Sequence, residues 1–167
     1  SDEDQKDGDT RWMYGQIAEV VNRAAEQAQP ATLRIGRQGV QIGYNRRQAQ
    51  RDGTVKMSPN PRGAIVPWVD TLEVMTTNST DEKDDPRQIA MLISHAAHPV
   101  IVHWTSEDAG PDYPGYAVNH LRRMIRSEGN PGIVMFAQGC GGNINGYPLR
   151  GGLSAADAAG LSLASAA

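Results

Sequence analysis

Cysteine, phenylalanine and long apolar runs are all scarce in this sequence. With a single cysteine, Cys140, no disulfide can form within the chain, so cysteine usage does not identify a compartment. One Phe, and aromatic residues at 5% overall, make the expected core aliphatic and lean. No apolar run approaches the ~18 residues that a membrane span needs, and no signal-peptide pattern opens the sequence. Positive charge is not in excess either. Sixteen Lys and Arg against nineteen Asp and Glu give a net charge of −3, so nucleic acid is not an expected partner.

What is present is turn chemistry, with eighteen glycines and ten prolines in 167 residues, a length sufficient for one domain with a sizeable core. The opening Ser1–Thr10 reads as an acidic loop running into a helix over about 11–29. In that helix Ile17, Val20, Val21, Ala24, Ala25 and Ala28 share one face, and Pro30 ends it. Two short strands are expected near 32–36 and 40–44, then a polar loop over 45–62 and a strand near 69–75. A charged turn follows over 76–86. Ile89 to Ser94 is a continuous apolar run, as in a strand buried on both faces.

The next helix starts at Asp112-Tyr-Pro-Gly115, where Asp112 can cap and a first-turn proline costs no hydrogen bond. Its expected buried stripe is Ala117, Leu121, Met124 and Ile125, and Gly129-Asn-Pro131 terminates it. Residues 133–137 form another strand, and Ser154-Ala-Ala-Asp157 reads as a capping box opening a final helix. The alternation of strand and helix in the later half argues an α/β fold, a mixed or parallel sheet flanked by helices. Its alanine-rich last helix stops abruptly at Ala167, which together with the opening reads as an incomplete piece of a larger catalytic domain spanning 1–167.

Two segments carry the chemistry: Leu92-Ile-Ser-His-Ala-Ala-His-Pro-Val100 and Phe136-Ala-Gln-Gly-Cys-Gly-Gly-Asn-Ile-Asn145. Each is an apolar run that ends in polar, Gly- or His-rich sequence, with a helix between them. In a strand–helix–parallel strand unit both loops leave the same carboxyl edge of the sheet. Residues near His98 and near Asn143 are therefore candidates for one site. Among three clustered histidines, His98 is the better metal-ligand candidate, because Pro99 ends the strand and presents it, against a structural histidine bonded to backbone. His95, His103 and His120 are expected to be structural. Gly139-Cys-Gly-Gly142 permits close backbone approach but lacks the Gly-Lys-Ser/Thr of a phosphate loop. Cys140 reads as a small buried thiol filling a gap, against a nucleophile with His98 as its base. Asp108 and Asp112 could orient a histidine or bind metal; a solvated loop charge and a helix cap explain them equally.

At these motifs the chain resembles the neutral/alkaline non-lysosomal ceramidase family, as a divergent bacterial branch. Tyr44-Asn-Arg-Arg47, Val69-Asp-Thr-Leu-Glu-Val74, His98-Pro99, Asp112-Tyr-Pro-Gly-Tyr-Ala117 and Phe136-Ala-Gln138 followed by Gly142-Asn-Ile-Asn-Gly146 appear in the family's order. The resemblance implies a zinc-dependent amidase acting on a small-molecule or lipid-like N-acyl substrate. It implies that His98 is one ligand of Zn²⁺, the others lying outside this chain, and that zinc lowers the pKa of a bound water. It also implies that Gly141, Gly142 and Asp112 face the substrate, and that the protein is secreted or periplasmic. Two positions depart from the family pattern: its essential serine corresponds to Asn145 and its aspartate to Asn143. Asparagine neither attacks a carbonyl nor removes a proton, although its amide can donate to an oxyanion. A non-catalytic ligand-binding relative is the alternative reading.

Overall fold

The computed structural model describes residues 2–77, with side chains from residue 8, and residues 86–103, 110–126 and 132–167. It divides into two compact units, 1–31 and 32–167. The first is essentially one helix, α1 (Asp2–Glu26). It begins well before the expected residue 11, since no proline or glycine precedes Gly8 to stop it. Ile17, Val20 and Val21 on its apolar stripe are exposed.

The second unit contains two sheets. One has the order β1-β4-β5-β6, built from β1 (Ala31–Gly39), β4 (Trp68–Thr76), β5 (Gln88–His95) and β6 (Ile133–Gln138). The other has the order β3-β2-β7, from β2 (Gly43–Ala49), β3 (Val55–Asn60) and β7 (Ile144–Gly146). Strands β4 and β5 run antiparallel, Leu72 opposite Leu92. Strands β5 and β6 run parallel, Ile93 opposite Phe136, with helix α2 (Asp112–Arg126) lying between them in sequence. The mixed α/β class and the parallel β5–α2–β6 unit agree with the sequence reading.

The core lies against one face of the four-stranded sheet. Period-2 geometry sends Val69, Met91, Ile93, His95 and Val134 to that face, where they meet Tyr113, Ala117 and Leu121 of α2. Helix α3 (Gly152–Ala166) adds Ala156, Leu163 and Ala164, and packs on α2 through these mostly small side chains. A side chain as fully buried as Ile93 contributes roughly 1.5–3 kcal/mol. The opposite face is only partly covered, with Ile133 and Met135 exposed. On α2, Ala117 and Leu121 are buried as expected, whereas Met124 is exposed.

Several boundaries differ from the sequence reading. β1 runs unbroken to Gly39, and β2 begins only at Gly43. The supposed polar loop over 45–62 is an antiparallel hairpin, with Arg47 opposite Met57 and Ala49 opposite Val55. Its turn closes through the Gln50 N–H to the Thr54 carbonyl, 2.8 Å, and Gly53 takes φ +81° there. Much of this hairpin faces solvent on both sides, so it lacks the apolar alternation that announces a strand. No capping box opens α3: it starts at Gly152 after a Gly151 cap without a side-chain bond, and Asp157 instead receives His120. The charged turn over 76–86, residue Asp108 and the helix terminator over 129–131 lie wholly or largely outside the described residues.

Candidate functional site

The segment after β5 and the segment after β6 meet. Past His95 the backbone carries Ala96 and Ala97, both buried, and then lies alongside β7, with His98 in a parallel bridge to Asn145. The His98 N–H donates to the Ile144 carbonyl at 2.8 Å, and the Gly146 N–H donates to the His98 carbonyl at 3.0 Å. This short ladder is the seam between the two sheets. The sequence reading that brings His98 and the 143–145 turn together is thereby realised.

Three groups fix the seam from below. The Ala97 carbonyl accepts from the Tyr113 hydroxyl at 2.6 Å and from the Gln138 amide at 3.0 Å. Tyr113 is fully buried, edge-on to both His95 and Phe136. Burial, with Asp112 next to it, pushes its hydroxyl far above the ordinary tyrosine value, so it remains a neutral donor. Gly141 supplies the close approach: a Cβ there would lie 2.9 Å from Gln138 Nε2 and 3.0 Å from Ala97 N. Tyr113 and Gln138 sit inside the sequence motifs, but neither stands out as a site residue.

The His98 ring contacts the Gly141 carbonyl through Nδ1 at 2.7 Å. A carbonyl can only accept, so Nδ1 carries the proton and the Nε2 lone pair remains for a cation or a proton. His95, three residues earlier, has the opposite fate. It is buried, with Nδ1 donating to the Trp68 carbonyl at 2.8 Å, and burial holds its pKa below the ordinary value. His120 Nε2 sits 2.8 Å from Asp157 across the α2–α3 contact. His95 and His120 thus have the structural partners expected of them; His103 is exposed, with φ +47°.

Arg46 joins the site although composition and spacing do not single it out. From β2 its Nε and Nη2 donate to the Gly142 carbonyl at 3.1 and 2.9 Å, and Nη1 donates to Asn145 Oδ1 at 3.2 Å. Its own N–H donates to the Asn143 carbonyl at 2.7 Å. The signal available in sequence was the Asn-Arg-Arg motif. Asn145 therefore points its amide oxygen at Arg46, and among the described residues no hydrogen bond takes its Nδ2. Asn143 donates its amide to the Ala64 carbonyl at 3.3 Å, the acceptor that buried Asn45 also uses at 2.8 Å.

Asp112 is buried in the role of a local clamp. Its Oδ2 accepts from the Val102 N–H and its Oδ1 from the Tyr113 N–H, both at 2.7 Å, with the residue itself at φ +53°. Gly142 is exposed, and its carbonyl is taken by Arg46. Cys140 is exposed, which corrects the expectation of a buried gap-filling thiol. Gly139 and Gly141 turn toward the Ala96–Ala97 backbone, so the residue between them points away. Among the described residues no hydrogen bond joins Cys140 to His98.

A shallow cleft of about 150 Å³ opens beside the seam, over the three-stranded sheet. Asn145 and Arg46 lie on its wall together with Tyr44, Met57 and Tyr147. Among the described residues no group of three or more His, Cys, Asp or Glu could hold a metal ion. His98 alone offers one ligand position, so these residues do not by themselves make a zinc site. No described helix is long and apolar enough to cross a membrane.

A mixed sheet with loaded loops at one edge is an architecture that many enzymes share, and comparison narrows it. No protein-family model matches the chain, and no curated protein matches it in sequence. Among solved structures it is similar to the neutral ceramidase from Pseudomonas aeruginosa, with a TM-score of 0.60 and 19% identity over 87% of this chain. It is similar also to a ceramidase complexed with C2, at a TM-score of 0.61 and again 19% identity over 87% of the chain. In both cases the chain spans 23% of the ceramidase. The fold is ceramidase-like; at this identity the likeness concerns the fold.

Proposed function

We propose that the chain is part of the catalytic domain of a zinc-dependent hydrolase resembling neutral ceramidase, which cleaves an amide bond in a lipid-like N-acyl substrate with metal-activated water. His98 is one zinc ligand, and the other ligands come from residues outside this chain. The observation that carries the reading is the His98 ring at the seam, its Nδ1 proton committed to the Gly141 carbonyl at 2.7 Å. Imidazoles that bind metals are typically oriented this way, the remote nitrogen bonded to a carbonyl or carboxylate and the other left as ligand.

The chain's own groups account for the rest of the chemistry assigned to it. As water adds to an amide carbonyl, negative charge develops on the oxygen, and donors fixed beforehand stabilise it most. Asn145 Nδ2 is such a donor, because Arg46 holds the other end of the amide. The Arg46 guanidinium adds positive potential at the same wall. Asn143 steadies the turn through Ala64. Of the remaining candidates, exposed Gly142 can border the substrate, while Gly141 and Asp112 act indirectly, Gly141 by accepting from His98 and Asp112 by clamping the Val102 and Tyr113 amides.

The test is hydrolysis of a short-chain N-acyl sphingosine by the full-length polypeptide, before and after complete chelation and with zinc restored. Chelation and His98→Ala should each lower turnover by more than about 100-fold, since even groups that only orient a metal ligand are worth 10–100-fold. Turnover untouched by chelation overturns the proposal. A second reading, a ligand-binding relative without turnover, is favoured by Asn145 and Asn143 standing where the family carries serine and aspartate. Zinc-replete protein that binds N-acyl ligands and never cleaves them would establish it.

A further inference from the structure

We propose that the cleft between the β2–β3 hairpin and the turn after β7 is a subsite for an anionic single-chain amphiphile. Its acyl segment lies against Tyr44, Met57 and Tyr147, and its carboxylate faces Arg46, Arg47 and Lys56. The inference rests on the N-acyl reading above and deepens it, by selecting a charged N-acyl compound over a neutral one.

Charge is the first argument. The whole chain carries −3, yet residues 43–62 hold five cations, Arg46, Arg47, Arg51, Lys56 and Arg62, and one carboxylate, Asp52. That carboxylate is occupied inside the hairpin turn, accepting from the Thr54 N–H at 3.0 Å and the Thr54 hydroxyl at 2.7 Å. Among the described residues Arg46, Arg47 and Lys56 make no ion pair, and the Arg46 partners, Gly142 O and Asn145 Oδ1, are neutral. The three line one open recess together with Met57. Positive charge left uncompensated on a concave wall focuses an attractive field on anions.

Apolar surface is the second argument, and it adjoins the first. Met57, on a hairpin whose other exposed side chains are mostly polar, is 76% exposed, and Tyr147, just past β7, is 52% exposed. Tyr44 and Tyr147 meet edge to face, ring centroids 5.2 Å apart, and give the cleft a firm floor. Arg46 and Met57 border both the apolar cleft and the basic recess. The cleft volume of about 150 Å³ is below the ~300–1,000 Å³ of a site that encloses a whole drug-sized ligand. It accommodates one segment of a chain. His98 borders neither recess, so the subsite is separable from the proposed metal ligand.

The experiment is calorimetric titration of the full-length protein, in low salt with chelator present, using N-decanoylglycine and the neutral N-decanoylethanolamine below their micellar concentrations. The glycine conjugate should bind about tenfold more tightly, the scale set by two or three exposed charge contacts. That preference should shrink at high salt, fall in Arg47→Gln/Lys56→Gln, where Arg46 alone remains, and vanish in Arg47→Glu/Lys56→Glu. Met57→Ser should weaken both ligands equally. Equal affinity of the two ligands overturns the proposal, as does a preference surviving both Arg47→Gln/Lys56→Gln and Arg47→Glu/Lys56→Glu. Binding to anionic phosphatidylglycerol vesicles without saturable uptake of monomeric N-decanoylglycine also overturns it, in favour of a membrane surface. Chelator is present throughout, so hydrolysis that proves metal-independent would sink the zinc reading while leaving this preference intact.

Discussion

The two sheets of the second unit are held together by different physics. The four-stranded sheet buries Val69, Met91, Ile93 and Val134 against α2 and α3, and its stability comes from apolar area. The three-stranded sheet contributes only Ile144 to that core from its own strands. It is tied instead by polar bonds: Arg46 to Gly142 and Asn145, Asn45 to Ala64, Asn60 to the Arg47 carbonyl. The site candidates cluster where the two meet. A packed layer gives positional rigidity, while a polar layer keeps donors and charge available at the surface. A variant of the first layer should therefore act on folding, and one of the second on the seam.

The largest effect should come from Tyr113, which serves both layers. Tyr113→Ala should cost ~3–5 kcal/mol in denaturant unfolding, as for other large buried side chains. Tyr113→Phe keeps the volume and removes only the bond to the Ala97 carbonyl, so about 1–2 kcal/mol is expected. If the two variants proved equally damaging, the seam rather than the packing would dominate stability, and the contrast between layers would fail.

Gly43→Ala probes the other layer. A Cβ there would sit 2.5 Å from the Asn145 carbonyl oxygen, a backbone atom that cannot step aside. Overpacking of this kind costs about 1–3 kcal/mol. Amide exchange should show lost protection at Ile144 and Gly146 with β5 unaffected; loss spreading into β5 would mean the sheets unfold as one.

How much of this was legible in the sequence follows the same division. β5, α2 and β6 could be read because each carries a packing signal: a continuous apolar run ending at His98-Pro99, a helical stripe, a second run ending in glycines. The β2–β3 hairpin could not, since a strand with both faces near solvent has no periodicity to display. Arg46 was hidden for a related reason. Its partners are backbone oxygen and an amide 96 and 99 residues away, and a carbonyl acceptor leaves no trace in residue type. Cys140 was misjudged because glycines on either side suggest crowding, while the crowding falls on the glycines alone.

The buried histidine after Ser94 sharpens the contrast through pH. Burial depresses the His95 pKa below the ordinary 6.5, so the folded protein binds its proton less readily than the unfolded chain. That contribution to stability is complete above 6.5. It declines as pH falls from there through the depressed folded value, by at most about 1.4 kcal/mol per unit. Unfolding midpoints measured across this window should fall on acidification, and His95→Gln should flatten the slope. An unchanged slope in His95→Gln would assign the acid sensitivity to another group.

The smallest effect on stability should come from the ion pair with the clearest electrostatic signature. Arg37 bonds Asp70 across β1 and β4, and its guanidinium also lies 4.7 Å above the Trp68 ring. That hydrogen bond holds the Asp70 carboxyl below its ordinary 3.8. A depressed carboxyl adds stability above its unfolded pKa and loses it as pH falls through the folded value. Both partners are exposed, however, so water and salt screen most of the gain. Arg37→Ala should therefore leave the unfolding midpoint unchanged within experimental scatter. The Asp70 titration followed by NMR should nonetheless move up toward 3.8. A clear drop in the midpoint would show that charge pairing as well as packing holds the four-stranded sheet.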